Sequence, residues 1–272
     1  MDYSKLSKKS AYIRTLILHT IVSSKKGHIG GAFSCTDILV TLYHGNILRF
    51  DSNNPDWDER DRFILSKGHS GIALFAILGD LGFFNIDELK TYCQDGSRLG
   101  GHPDRRIPGI EADTGSLGHG LGIGAGMALR AKMDMKDYLT VVLLGDGECY
   151  EGSVWEAFLF ASHHNLNNFI AVIDKNRQCV LDYTEDCVRL EPLDKKLQSF
   201  GWDTLMVGGH SHKDLFETFS VIRKRVSEKP LAIIANTIKG KGVSYMEGQI
   251  KWHHGIPSDE EYQIAIKELS SI

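Results

Sequence analysis

Two strand ends and a set of glycine-flanked histidines are the parts of this 272-residue chain best suited to chemistry. In VVLLGDGECYEGSVWEA (141–157), Asp146 stands between Gly145 and Gly147, where an apolar run gives way to a helical pattern. Glycines carry no Cβ, so the backbone can turn sharply and approach a ligand, while Asp146 offers a hard oxygen. A strand-to-helix turn whose Asp caps the next helix accounts for the triplet alone equally well. The second run, NNFIAVIDKNRQ, ends at Asp174-Lys175-Asn176, with Asn176 30 residues after Asp146. That interval holds one crossover helix and one strand, so both side chains can emerge at the same end of neighbouring parallel strands. A carboxylate, an amide oxygen and a backbone carbonyl just beyond make an oxygen-only partial shell. Mg²⁺ favours such a shell and completes it with phosphate oxygens and water. The competing reading is a pair of polar strand ends facing solvent.

Of twelve histidines, His28, His69 and His102 each follow a glycine and His254 precedes one. Imidazoles in such loops are free to meet a ligand and to donate, accept or relay protons near neutral pH. His19, in LILHTIV, and the pair His163/His164 read instead as packing or surface residues. In GSLGHGLGIGAGMALRAK, glycines at 118, 120, 122, 124 and 126 either serve a ligand loop or permit close helix packing at a cost in helix propensity. Lys239 and Lys241, in TIKGKGVSYME, have the charge to meet a phosphate but read as part of a solvated loop.

The elements that must position these groups alternate along the chain. DRFILS, LTVVLLG, FIAVID, DTLMVG and LAIIANT are short runs of the kind expected for strands buried on both faces. Helical patterns cover the N-terminal SKLSKKSAYIRTLILHTIVSSKK, residues 70–81, 152–166, 192–199 and 211–228, and the terminal EEYQIAIKELSSI. SCTDILVTLYHG is expected to open a helix with Ser34 as its cap. The prediction is an α/β fold: a mainly parallel sheet with helices on both faces, residues 1–272 forming a single domain. In such sheets ligands bind at the carboxyl ends of the strands, where both polar strand ends lie. A net charge of −4 excludes a broad nucleic-acid or anionic-membrane surface, and no apolar run spans a bilayer. Five cysteines without a CxxC spacing suit reduced thiols in a cytoplasmic protein.

GDGECYEG…DKN resembles the cofactor motif of thiamine-diphosphate enzymes, and further stretches narrow the resemblance to the N-terminal, diphosphate-binding domain of transketolases. These are KKGHIGGAFSCTDIL, DRFILSKGHSGIALFAIL, GGHPD, TGSLGHGLGIGAGMAL, FGWDTLMVGGH and WHHGIP, in family order along nearly the whole chain. The resemblance implies thiamine diphosphate with Mg²⁺, or another divalent cation such as Ca²⁺ or Mn²⁺. It implies Asp146, Asn176 and the carbonyl of Gln178 as metal ligands, and Gly147 as a backbone contact to the diphosphate. His69 matches a histidine at the diphosphate, and Gly115, Ser116 and Leu117 match the loop holding the thiamine rings. His28 matches a substrate-channel histidine, His102 one at the donor sugar, and His254, beside His253, one bridging cofactor and substrate. His119 stands where the family usually has glutamine, and RQCVLDYTED lacks the usual Asp-Gly after Asn176.

The implied reaction moves a two-carbon ketol unit from a ketose or ketose phosphate to an aldose or aldose phosphate. The family's pyrimidine-binding and C-terminal domains are expected on a separate chain, a C-terminal transketolase subunit, in an α2β2 heterotetramer. Other readings are a transketolase-like enzyme of a specialised pathway, with an unusual acceptor or an acyl donor, a keto-acid dehydrogenase E1-type subunit, and a non-enzymatic subunit that kept the fold.

Overall fold

The computed structural model describes residues 1–272. Five strands, β1 (Arg62–Leu65), β2 (Thr140–Gly145), β3 (Phe169–Lys175), β4 (Asp203–Gly208) and β5 (Leu231–Asn236), pair in the order β1-β2-β3-β5-β4. Every pairing is parallel. Successive side chains on a strand point to opposite faces, and this divides the core in two. Val141, Leu143, Ile170, Val172 and Ile233 join the larger core with α1 (Tyr3–Ser24), α2 (Ile29–Tyr43) and α3 (Gly71–Asp80). Val142, Leu144, Ala171, Ile173 and Ile234 face α4 (Gly120–Met133) and α5 (Gly152–His163) on the other side. The short α6 (Thr184–Cys187) and α7 (Leu193–Ser199) follow β3, and α8 (His212–Ser220) and α9 (Asp259–Leu269) complete the chain. The expected α/β class, parallel sheet and two helical layers are all present.

Three local expectations need correction. DTLMVG is not buried on both faces: β4 is an edge strand with β5 as its only neighbour, which leaves Leu205 39% and Met206 59% exposed. The helix expected over 211–228 ends at Ser220, after a Ser211 cap, and a 3-10 turn follows at Ile222–Lys224. Arg225 is then extended, held by hydrogen bonds to Asp203 and the Lys229 carbonyl, so that the chain can enter β5. Ser34 does not cap α2, which starts at Ile29, ahead of Gly30 and Gly31. Tight packing overrides the poor helix propensity of those glycines. A Cβ on Gly30 would lie 2.6 Å from the Trp252 carbonyl oxygen, and one on Gly31 2.9 Å from Ser70 Oγ.

Candidate active site

The carboxyl ends of β1, β2, β3 and β5 open into one cavity of about 740 Å³. β1 leads into Lys67 and His69, β2 into Asp146, Gly147 and Glu148, β3 into Asn176, Gln178 and Cys179, and β5 into Lys239. His28, at the start of α2, His102 and His253 complete an imidazole-rich wall. Among the expected site residues, His28, His69, His102, Gly115, Leu117, Asp146, Gly147, Asn176 and Gln178 all line the cavity. Ser116 is exposed beside it, and His254 is exposed on the rim, its ring centroid 4.7 Å from that of His28. Of the two adjacent histidines, His253 is the one in the wall.

Asp146 is 2% exposed and has no lysine or arginine partner; its oxygens accept from the backbone N–H groups of Gly147 at 2.9 Å and Arg177 at 2.6 Å. Burial, reinforced by the neighbouring Asp174 carboxylate, pushes it up to about 7. A buried carboxylate with so little compensation fits a site that takes a cation. Asn176 Oδ1 accepts from the Gln178 N–H at 3.1 Å, which folds the chain back towards Asp146. The Gln178 carbonyl receives no hydrogen bond within the chain. A carboxylate, an amide oxygen and a free carbonyl are the donor set of a hard divalent ion. Gly147 belongs to the same cradle: a Cβ there would meet Cys179 Cβ at 3.0 Å.

Behind the carboxylate lies a buried ion pair that the sequence did not single out. Lys67 pairs with Asp174, whose oxygens also accept from Ser34 and Thr237, and Lys67 Nζ donates to the Gly31 carbonyl at 3.0 Å. Burial opposes both charges, but each partner outweighs it: Lys67 is raised and Asp174 lowered from their ordinary values. Glu148, also buried, accepts from Ser66 Oγ and from the backbone N–H groups of Gly118 at 2.9 Å and Gly145 at 3.1 Å. It thus ties the end of β2 to the Gly115–Leu117 loop. Gly115 itself has φ +154°, and its open face accepts the His102 ring, which a Cβ would approach to 3.1 Å. The only advance signal of this shell was position, Lys67 and Glu148 each lying within three residues of an apolar strand run.

The imidazoles form a close array. His28 lies 5.4 Å, centroid to centroid, from both His69 and His253, and His69 and His253 are 5.4 Å apart and nearly parallel. Burial, then the nearby cations and imidazoles, lowers His28 to about 4, His253 to about 3 and His69 well below its usual range. These three rings are neutral at pH 7, each able to donate one hydrogen bond and accept one. Lys239 overturns the solvated-loop reading of TIKGKG: it is 2% exposed and lines the cavity. Its Nζ donates to the Cys179 carbonyl at 3.2 Å and meets His253 Nδ1 at 2.9 Å. Burial and the charge of Lys67 lower it to about 8. Lys241 stays at the surface, paired with Glu247 at 3.0 Å.

A buried carboxylate without a lysine or arginine partner and a buried lysine, both at the carboxyl edge of a parallel sheet, define an α/β protein with a polar ligand cleft at its strand ends. The family follows from comparison: residues 6–269 match the model of the transketolase, thiamine diphosphate binding domain, and the chain belongs to that family. It is 43% identical over 270 residues to a subunit of the apulose-4-phosphate transketolase of Phocaeicola vulgatus, covering 99% of this chain and 95% of that protein. It is 40% identical over 265 residues to 6-deoxy-6-sulfo-D-fructose transketolase subunit SqwG of a Clostridium species, covering 97% and 96%. The transketolase crystal structure from Campylobacter jejuni superposes with a TM-score of 0.93 at 29% identity, over 99% of this chain but 43% of that one. The chain therefore spans the length of the subunit-type relatives and about two fifths of the longer transketolases.

Proposed function

We propose that this chain is the diphosphate-binding subunit of a two-chain transketolase, a single cofactor-binding domain that works in a cytoplasmic setting with a C-terminal subunit in an α2β2 assembly. The observation that carries the reading is the buried Asp146, without a lysine or arginine partner, lining one cavity with Asn176, Gln178 and neutral imidazoles. Asp146, Asn176 and Gln178 would hold Mg²⁺ or a similar ion. The Gly147 backbone, His69 and Lys239 would hold the diphosphate, and Gly115, Ser116 and Leu117 the thiamine rings. Bound there, thiamine diphosphate supplies an electron sink for the two-carbon fragment released when a ketose breaks between C2 and C3. The chain's own part is positioning. His28 and His102 on the cavity wall, with His254 at its rim, donate to and accept from the donor's hydroxyl and carbonyl oxygens.

The need for a partner has support in the cavity itself. Val180, Leu181 and Val188 line it yet remain 61%, 79% and 63% exposed, apolar surface suited to cover by a second chain. Relatives of the same length are named as subunits of transketolases for apulose 4-phosphate and 6-deoxy-6-sulfo-D-fructose. Those names favour a specialised sugar carrying a phosphate or sulfonate over the general sugar phosphates. Replacing Asp146 by Ala is expected to abolish Mg²⁺-dependent binding of thiamine diphosphate to the assembled enzyme, measured calorimetrically. Asp182→Ala, in the adjoining loop, should change it little. Equal affinity of wild type and Asp146→Ala would exclude the site.

A further inference from the structure

The geometry points to Cys179 and Cys187 as a reversible redox site in the cavity wall, at which a disulfide loosens the cofactor's seat. Both thiols line the cavity, both are partly exposed, and their sulfurs lie 3.5 Å apart. A disulfide requires about 2.0 Å, a closure within reach of side-chain rotation in a loop. The other three cysteines have no such partner: Cys35 and Cys149 are buried, and Cys93 lies outside the cavity. The segment between the pair follows directly on Gln178 and carries Val180 and Leu181 into the cavity. It is anchored at both ends. Lys239 holds the Cys179 carbonyl, and the Tyr150 hydroxyl shares its one hydrogen between the carbonyls of Thr184 and Val188, at 2.5 and 3.0 Å.

The reduced state holds a specific turn. Cys179 Sγ donates to the Asp182 carbonyl at 3.2 Å and accepts from the Asp182 N–H at 3.5 Å, which fixes Val180 and Leu181 between them. Cys179 Cβ also fills the space above Gly147. With hydrogen peroxide as oxidant, one thiol becomes a sulfenic acid as the O–O bond breaks and one water leaves. The second sulfur then attacks the first, the S–S bond forms and a second water leaves. The two thiols together give up two electrons and two protons. The disulfide has no S–H to give Asp182, and Cys179 must swing towards Cys187. The turn is released, and the contact above Gly147 shifts with it.

The effect on binding rests on the cavity being the cofactor site; formation of the disulfide does not. The test treats the assembled enzyme with hydrogen peroxide, maps cross-linked peptides by mass spectrometry and measures thiamine diphosphate binding by calorimetry. Expected are a Cys179–Cys187 peptide and a half-saturating concentration raised roughly fivefold, the size of about one flexible side chain re-ordered on binding. Dithiothreitol should reverse both. Cys187→Ser should show neither change, whereas Cys93→Ser should show both. Absence of the cross-link, or a shift that persists in Cys187→Ser, overturns the proposal, and a cross-link without a shift overturns its link to binding. If the reduced enzyme itself fails to bind thiamine diphosphate, the cofactor reading fails, while the mass map still reports on the thiol pair.

Discussion

Lys239 shows how far one side chain's surroundings set its chemistry. In the folded chain its pKa lies near 8, against 10.5 for an unhindered lysine, because burial and Lys67 disfavour the ammonium. Between those values the unfolded chain binds a proton that the folded one has released, so the cofactor-free fold gains stability as pH rises through that window. Diphosphate binding has the opposite slope, since it uses the charged form. Affinity for thiamine diphosphate should fall above about pH 8, as Lys239 loses its proton. Lys239→Met should weaken binding at pH 7 by about ten- to a hundredfold, as for a lost charge-assisted hydrogen bond, and flatten the alkaline decline. Calorimetry between neutral and alkaline pH measures both, and an unchanged decline in Lys239→Met would assign the titration to another group.

At the scale of the element, α4 resolves the question its glycines posed. Gly124 faces the sheet, and a Cβ there would stand 2.4 Å from Val142 Cγ2 and 3.0 Å from the Phe169 ring. Gly122 and Gly126, on the same helix, would have nothing within 4 Å. Close packing is thus the reason for Gly124, and for Gly120 against Ser66, but not for Gly122 or Gly126. Gly124→Ala should push α4 off β2 and cost about 1–3 kcal/mol, the usual range for overpacking. Gly122→Ala should instead stabilise the chain by up to about 1 kcal/mol through helix propensity alone. Denaturant midpoints of the two variants test the assignment, which fails if both move in the same direction.

For the whole molecule, the proposal is that the cavity is half of a site. Supplied with thiamine diphosphate and Mg²⁺, the purified chain should transfer no ketol groups, and activity should appear once the C-terminal subunit is added. Sedimentation should then report a complex of two copies of each. Robust turnover by the chain alone would end the two-chain reading. The relatives named as transketolase subunits, matched over 95–97% of their length, are what support it.

Much of this was legible in the sequence because it depends on local pattern. Apolar strand runs alternating with helical periods fixed the α/β class, since only a sheet covered on both faces buries FIAVI and LAIIA. Ordered glycine–histidine and GDG–Asn motifs named the family, and their spacing brought Asp146 and Asn176 to neighbouring strand ends. Tertiary structure alone decided what distant residues do to one another. Lys67 meets Asp174 across 107 positions of the chain, and Lys239 meets His253 within one cavity, and neither partnership leaves a mark on local composition. Burial did the rest. It left DTLMVG at an open edge, put His253 rather than His254 in the wall, and left Asp146 buried without a lysine or arginine partner. Solvent access and net charge around a group are properties of the assembled surface, which no single segment contains.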